Sequence, residues 1–213
     1  MKKVKFATLA VVALALVFAL VSPVMATGGL TGVKITVDPG HGGSDPGAVG
    51  PTGLTEKAVN LRVGTVLKNC LVEYGYATVQ MTRTTDVDVS LADRVALANN
   101  WGANRFISVH HNASTDPSVN GTETYAYYYG SSASFDLRDK VHARLLAGMG
   151  LPNRGALTAG FYVLKYTNMP AILTEASFIS NPYEEARLKD AGYTWREGYY
   201  IYQGVADHYG VAP

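Results

Sequence analysis

The sequence predicts a single α/β domain whose largely parallel, twisted sheet is covered by helices on both faces. Segments with the pattern of strands alternate along the chain with segments that have the period of helices. One strand segment, residues 106–109, is a compact apolar run of the kind found in a sheet buried on both sides. After a separate N-terminal segment, about 185 of the 213 residues remain, which suits one domain with a sizeable core.

The first part of the domain combines a strand and a long helix. Residues 33–37 are rich in β-branched side chains and predict a strand. A helix follows over residues 55–74, with Thr55 as its N-cap and Gly75 closing it. Its apolar face recurs at the helical period and comprises Val59, Val63, Val66, Leu67, Cys70, Leu71 and Tyr74. We therefore expect Cys70 to be a core residue and not a reactive thiol.

In the middle of the chain, the sequence predicts three strands and one short helix. Residues 77–82 form a strand, and Ser90 caps a helix that ends near Gly102. The apolar strand 106–109 follows, and then a strand over residues 122–129. Alternation along this last strand places Tyr125, Tyr127 and Tyr129 on one face and Tyr128 on the other.

The C-terminal part continues the alternation. An amphipathic helix is expected over residues 134–149, followed by strands over residues 161–164 and 171–174. Two more helices are expected, over residues 183–189 and 195–209.

The N-terminal segment has the pattern of a secretory signal. Basic residues precede an apolar run over residues 6–21, and Ala26 offers a small residue for cleavage. We predict a signal peptide over residues 1–26, with an uncleaved membrane anchor as the alternative. Either interpretation predicts a secreted or cell-envelope protein.

Charge and cysteine content exclude several classes of function. The chain has 18 basic and 17 acidic residues and no basic run, so we expect no nucleic-acid partner. Its single cysteine excludes an internal disulfide and a cysteine-based zinc site. We expect a monomer.

Two histidines follow predicted strands at the edge where ligands collect in open α/β sheets. His41 lies in the glycine-rich segment 38–47 after the first strand, and His110 follows the strand 106–109. Glu56 begins the long helix, where the helix dipole favours its ionised form. Two histidines and one glutamate can hold zinc and leave a fourth position open. The glycines let the backbone turn sharply and present the imidazole of His41.

Glu175 directly follows the predicted strand 171–174 and is expected at the same edge of the sheet. Beside a zinc-bound water it would act as general base, and away from one it would be a loop or helix cap. Asp38 and Asp45 are expected to be turn residues that bond backbone amides, although Asp38 could instead orient an imidazole.

The motifs together resemble the zinc-dependent N-acetylmuramoyl-L-alanine amidases, the type 3 catalytic domain of bacterial cell-wall hydrolases. The matching segments occur in the family's order, and the resemblance covers nearly the whole chain from residue 33 to residue 209. They are DPGHGGSDPGA at 38–48, TEK at 55–57, SVHHN at 108–112, NRG at 153–155 and PAILTEASFISN at 170–181.

The resemblance implies an amidase catalytic domain over residues 33–210, with one Zn²⁺ per domain and peptidoglycan as substrate. Its metal ligands would be His41, Glu56 and His110, and its catalytic glutamate Glu175. The hydrolysed bond would join the lactyl group of N-acetylmuramic acid to L-alanine.

Other polar residues near the motifs receive supporting roles. Asn112 and Arg154 are expected to help hold substrate, whereas Arg83 and Arg94 are expected to form structural ion pairs. His111 stands where many members of the family have alanine. It would point to the side of the strand opposite His110, so we expect a supporting or structural role.

His142 lies one residue off the apolar stripe of its helix, and we expect it to be solvated or at a boundary. Two other functions remain open at this point: a non-catalytic peptidoglycan-binding module, and a zinc hydrolase of another specificity, such as a carbohydrate deacetylase or a peptidase.

Overall fold

The computed structural model describes Met1 and residues 29–213. The predicted signal peptide or anchor, apart from Met1, therefore lies outside the described residues. Among the helices of the described part, none is long and apolar enough to cross a membrane.

Strands and helices alternate along the described chain, as expected. In chain order they are β1 (Lys34–Pro39), α1 (Glu56–Glu73), β2 (Thr78–Met81), α2 (Leu91–Trp101), β3 (Arg105–Asn112), β4 (Thr122–Tyr127), α3 (Ser132–Met149), β5 (Asn153–Ala159), α4 (Tyr162–Tyr166), β6 (Ala171–Phe178), α5 (Pro182–Leu188) and α6 (Ala191–His208).

The strands form one six-stranded sheet in the order β2-β1-β3-β6-β4-β5. The pairs β1–β2, β1–β3, β3–β6 and β4–β5 are parallel, and β4 runs antiparallel to β6. The prediction of a single domain with a largely parallel sheet is confirmed. Because β1, β3 and β6 run in the same direction, their carboxyl ends lie at one edge of the sheet.

Helices cover both faces of this sheet and enclose two apolar clusters. The larger cluster contains Ile107 and Val109 of β3 with buried residues of α1, α3 and α6. The smaller one contains Phe106 with buried residues of α2 and α4. Since side chains of a strand alternate between faces, His110 shares the face of Phe106, and His111 shares the face of Ile107 and Val109.

One predicted strand is wrong and one strand was missed. Residues 161–164 lie mainly in the short helix α4, in which the adjacent side chains Val163 and Leu164 are both buried. A four-residue apolar run fits either a strand or a short buried helix, so its pattern could not decide. The missed strand is β5, an edge strand whose sequence NRGALTA contains a glycine with φ of 124° and little apolar content.

Two strands extend beyond their apolar runs and carry candidate site residues within them. β3 continues through His110 to Asn112, and β6 continues through Glu175 to Phe178. The pairing shifts between His110–Glu175 and Asn112–Phe178, so an irregularity follows the polar pair. Bulges of this kind are common beside active sites, where they redirect the chain.

His142 is buried and not solvated, contrary to the prediction. Only 5% of its surface is exposed, and its ring nitrogens lie 3.1 Å from Thr124 Oγ1 and 2.9 Å from Asn153 Oδ1. These partners on β4 and β5 satisfy the imidazole inside the protein, which the pattern of α3 alone could not reveal.

Candidate metal centre and active site

Three side chains from separate elements converge at the carboxyl edge of the sheet. His41 lies in the turn after β1, Glu56 is the first residue of α1, and His110 lies near the end of β3. One donor atom from each lies within 4.8 Å of the others. His41 Nε2 is 3.1 Å from Glu56 Oε2, and His110 Nδ1 is 2.9 Å from Glu56 Oε1.

The turn after β1 brings the two imidazoles together. A Cβ on Gly40 would lie only 2.1 Å from His110 Cε1 and Nε2, so only glycine leaves room for that ring. His41 itself adopts a φ of 59°, a left-handed conformation that is uncommon for a residue with a side chain. Such strained residues cluster at functional sites, where the surrounding structure holds them in place.

Asp45 orients the imidazole of His41. Its Oδ2 lies 2.7 Å from His41 Nδ1, and its Oδ1 accepts a hydrogen bond of 3.0 Å from the amide of Gly47. The predicted turn role is therefore present, together with a contact to the imidazole that the sequence did not reveal. A carboxylate on the second ring nitrogen fixes the tautomer of a metal-binding histidine and leaves Nε2 as the ligand atom.

Asp38 has neither of the roles predicted for it. It is buried beneath the turn, where it accepts hydrogen bonds from Thr82 Oγ1 at 2.6 Å, Ser108 Oγ at 2.8 Å and Arg94 Nη1 at 2.7 Å. The ion pair expected of Arg94 is thus present. Burying this ion pair costs desolvation energy, and the cost is offset because the carboxylate is also hydrogen-bonded to two hydroxyls.

Two buried arginines hold the backbone of the turn. Arg94 donates to the carbonyls of Pro39 and His41, each at 2.7 Å. Arg83 donates to the carbonyls of Pro39 at 2.9 Å and Gly40 at 2.8 Å. Arg83 therefore bonds main-chain oxygens where an ion pair was expected, and both guanidinium groups fix the loop that carries His41.

Glu56 is the centre of the hydrogen-bond network. Its Oε2 accepts from the amide of Ala48 at 2.9 Å, and its Oε1 accepts from the amide of His111 at 3.2 Å and from Asn60 Nδ2 at 3.1 Å. Burial alone would raise the pKa of Glu56, but the bonds and charges of His110 and His41 outweigh it and hold that pKa well below its usual range. The hydrogen bond to Glu56 in turn raises the pKa of His41.

Glu175 lies beside these groups on β6, directly across from His110 in the strand register. Its Oε2 is buried and has no hydrogen-bond partner among the described residues. Burial, reinforced by the charges of Glu56 and Glu123, raises the pKa of Glu175 well above its usual value. A buried carboxylate oxygen without a partner is costly for folding alone and is typical of a group reserved for a reaction.

Asn112 and Arg154 are brought together by Glu123, a residue that the sequence analysis missed. Glu123 accepts from Asn112 Nδ2, Arg154 Nε and Tyr125 Oη at 2.8, 2.8 and 2.7 Å. Glu123 pairs with Glu175 across β4 and β6, so this group adjoins the metal centre. The guanidinium of Arg154 lies over the ring of Phe178. The alternation of Glu123 with Tyr125 was visible in the sequence, but nothing there indicated their partners.

A cavity of about 540 Å³ opens onto the candidate metal centre and Glu175. Its polar lining includes His41, His110 and Glu175, together with Asp45 and Ser90. Its apolar wall is formed by Val89, Leu91, Phe161, Tyr162, Val163 and Leu173. A concave apolar site with a few converging polar groups is the usual form of a small-molecule or peptide site.

The donor set fits a zinc ion. Two imidazoles and one carboxylate are a known ligand set for catalytic zinc, and they leave a coordination position open. The lowered pKa of Glu56 favours the ionised carboxylate that a metal requires, and Asp45 orients the ring of His41 so that Nε2 faces the other donors. His111 lies on the other face of β3, as predicted, and is outside this group of donors.

The fold and the site thus define an α/β domain with a candidate metal centre of two histidines and one glutamate, beside a glutamate whose Oε2 has no hydrogen-bond partner in the described part of the chain. Comparison with known proteins identifies its family. The family described as N-acetylmuramoyl-L-alanine amidase (Amidase_3) matches residues 35–207, and this chain belongs to it.

Individual relatives agree with this assignment. The chain is 41% identical over 162 residues to the N-acetylmuramoyl-L-alanine amidase CwlM of Bacillus licheniformis, covering 76% of this chain and 62% of the relative. It is 38% identical over 181 residues to LytC of Bacillus subtilis, covering 84% of this chain and 36% of that amidase. The match therefore spans less than two thirds of each of these relatives.

Solved structures share the fold over most of the chain. The catalytic domain of CwlV from Bacillus (Paenibacillus) polymyxa superposes with a TM-score of 0.79 at 35% identity, covering 84% of this chain and 99% of that one. An N-acetylmuramoyl-L-alanine amidase from Clostridium difficile 630 superposes with a TM-score of 0.79 at 34% identity, covering 82% and 95%.

Proposed function

We propose that this protein is a zinc-dependent N-acetylmuramoyl-L-alanine amidase that remodels or lyses bacterial cell walls. It hydrolyses the amide bond between the lactyl group of N-acetylmuramic acid and L-alanine of the stem peptide. The observation that carries the proposal is the convergence of three metal-binding side chains beside Glu175, in a chain of the amidase family.

His41, Glu56 and His110 would hold one zinc ion per domain. When bound there, zinc supplies Lewis acidity, which lowers the pKa of water to about 7 and polarises the scissile carbonyl. The chain's own contribution is to hold the three donors close together, with Asp45 orienting the ring of His41 and the buried contacts of Glu56 fixing its carboxylate.

Glu175 acts as general base and then as general acid. Its Oε2 accepts a proton from the attacking water and delivers it to the amide nitrogen, so that the C–N bond breaks and alanine leaves as a free amine. The oxygen is buried and has no other partner among the described residues, which keeps it free for this transfer.

Asn112 and Arg154 would hold the substrate next to the scissile bond. Glu123 fixes one nitrogen of each side chain, whereas 40% of the Arg154 side chain is exposed. A partly exposed guanidinium of fixed orientation suits an acidic group of the stem peptide. Peptidoglycan lies outside the cytoplasm, so the proposed substrate agrees with a signal peptide or anchor over residues 1–26.

The first experiment measures metal content and the products released from purified peptidoglycan by the wild type and by Glu175→Gln. We expect about one zinc per chain in both proteins. Stem peptides with N-terminal alanine should appear only with the wild type. Glu73→Gln, an exposed change at the far end of α1, controls for the loss of a carboxylate.

Three results would overturn parts of the proposal. Released acetate without free stem peptides would identify a deacetylase, and cleavage between amino acids of the stem would identify a peptidase. Full hydrolysis by Glu175→Gln would remove Glu175 from the reaction.

A further inference from the structure

We propose that His111, anchored by Glu197, is a positioning residue that orients the metal ligand Glu56 through Asn60. The inference rests on the proposed metal centre and concerns side chains that none of the motifs includes as ligands. It assigns a function to a buried polar chain that crosses from the active edge of the sheet to helix α6.

The contacts form a continuous path. Glu56 Oε1 accepts from Asn60 Nδ2 at 3.1 Å, and Asn60 Oδ1 lies 2.8 Å from His111 Nδ1. His111 Nε2 lies 3.1 Å from Glu197 Oε2 on α6. The side chains of His111 and Glu197 are both 0% exposed, and Asn60 is buried as well. Solvent therefore offers no substitute for any of these bonds.

The chemistry of the side chains along this path fixes which group donates and which accepts in each hydrogen bond. Asn60 must present its NH₂ group to Glu56, because an ionised carboxylate only accepts hydrogen bonds. The same Nδ2 donates to the carbonyl of Gly40 at 3.3 Å. Asn60 Oδ1 then faces His111, so His111 Nδ1 must carry a proton and donate it. The contact with Glu197 at Nε2 holds the imidazole in that orientation.

Loss of this donor acts on the metal ligand. When the His111 side chain is replaced by one that cannot donate, Asn60 Oδ1 has no partner and the amide can reverse. A reversed amide places its oxygen against Glu56 Oε1, which replaces an attraction by a repulsion. Glu56 is then displaced from its position, or it binds the metal less strongly. Changes in residues that orient metal ligands typically cost 10–100-fold in metal affinity.

Packing alone does not account for the pair. Glu197 Oε1 is buried without a hydrogen-bond partner in the described chain, which costs stability. Apolar residues of similar volume are often neutral or stabilising in place of a buried ion pair. If the chain were selected only for stability, apolar residues at positions 111 and 197 would therefore serve at least as well. A second buried histidine, His142, serves as comparison because its partners Thr124 and Asn153 have no bond to the metal ligands.

The test compares two double variants that both lack the ion pair. His111→Leu/Glu197→Leu removes the donor to Asn60, whereas His111→Asn/Glu197→Leu retains an amide NH₂ near the place of Nδ1. Zinc affinity is measured by competition with a chromophoric chelator, and the ligand geometry by the visible spectrum of the Co²⁺-substituted protein. Thermal unfolding of the zinc-free proteins checks that each variant is folded.

We expect the leucine variant to bind zinc about 10–100-fold more weakly than the wild type, with a shifted Co²⁺ spectrum, and the asparagine variant to recover most of the affinity. His142→Leu should lower thermal stability and leave zinc affinity unchanged. Glu197→Gln, which still bonds Nε2 and leaves His111 in place, should bind zinc within about threefold of the wild type.

Equal zinc affinity in the wild type and the leucine variant would overturn the inference. A tenfold loss in Glu197→Gln, or an equal loss in His142→Leu, would do the same, because the effect would then come from charge or from general destabilisation. The measurement is independent of hydrolysis: a wild type that binds zinc but leaves peptidoglycan intact refutes the proposed function and not the role of His111.

Discussion

Replacing Gly40 by alanine should remove His110 from the metal centre without unfolding the domain. The new Cβ would lie 2.1 Å from two atoms of the His110 ring, where ordinary contacts begin at 3.4 Å. The imidazole must therefore move by about 1.3 Å, and metal–ligand distances tolerate only about 0.2 Å. The effect is steric, because Gly40 is not among the glycines with positive φ.

The expected fall in zinc affinity distinguishes the loss of a ligand from a general destabilisation of the fold. Zinc affinity should fall by more than the roughly 100-fold that marks the upper range for a supporting residue. Overpacking costs about 1–3 kcal/mol, and a chain of this size loses about 2–4 °C in melting temperature per kcal/mol. The zinc-free variant should therefore remain folded at 25 °C.

The assay combines chelator competition for zinc with thermal unfolding in the presence of a chelator. Gly192→Ala is the matched control, because it lies in α6 and its Cβ would meet only Asp190 Oδ1, at 3.1 Å. It should leave zinc affinity unchanged. If Gly40→Ala binds zinc within about threefold of the wild type, His110 is not a ligand in the observed arrangement and the reasoning fails.

Three further changes test other parts of the structure. Asp45→Ala removes the carboxylate from His41 and should weaken zinc binding about 10–100-fold by chelator competition, whereas an unchanged affinity would show that Asp45 serves the turn alone. The hydrogen bond from Arg144 lowers the pKa of Asp207, so its stabilising effect is present above the ordinary aspartate pKa and is lost as the pH falls through the folded value. Asp207→Asn should thus cost about 0.5–1 kcal/mol in urea unfolding at pH 7, as expected for a partly exposed pair, and less as the pH falls below the ordinary aspartate pKa. A cost that does not change with pH would exclude this linkage. Burial raises the pKa of the Cys70 thiol to about 11, so iodoacetamide at pH 8 should alkylate it only after denaturation, and rapid labelling of the native protein would contradict its place in the core.

Sequence periodicity was sufficient to predict a helix where one face of that helix is apolar. Of the predicted apolar face of α1, Val63, Leu67 and Cys70 are buried, whereas Tyr74 lies past the end of the helix and is 51% exposed. The helix α2 begins after Ser90, whose side chain accepts from the amide of Asp93, and ends at Gly102 with a φ of 69°. Local chemistry specifies both ends of this helix, so neither depended on distant contacts.

Periodicity failed where the partners are distant in the chain. The strand β5 has too little apolar character to be recognised and is recruited by pairing with β4. Glu123 resembled a solvent-facing strand residue, yet it is buried because Asn112 and Arg154 satisfy its carboxylate. Asp38 and Asp45 have similar neighbours in the sequence, and only the positions of Arg94 and His41 in space distinguish their roles.

The site depends on the register of β3 more than on any loop. Phe106, Ser108 and His110 point to one face of this strand, and Ile107, Val109 and His111 point to the other. A slip of one residue would exchange His110 with His111 and bury the ligand beneath α6. Parallel neighbours on both sides, β1 and β6, oppose such a slip, since each pairs with β3 over several residues.

The same alternation gives this one strand two functions. His110 faces the cavity with Glu175, while His111 enters the core and reaches Glu197. Glu56 receives both effects, because His110 Nδ1 and the amide of His111 approach the same carboxylate oxygen. The proposed ligand His110 and the residue proposed to orient Glu56 are thus adjacent in sequence and fixed by a single register. Both side chains therefore lie on a strand, and rigid elements of this kind hold catalytic geometry more accurately than loops do.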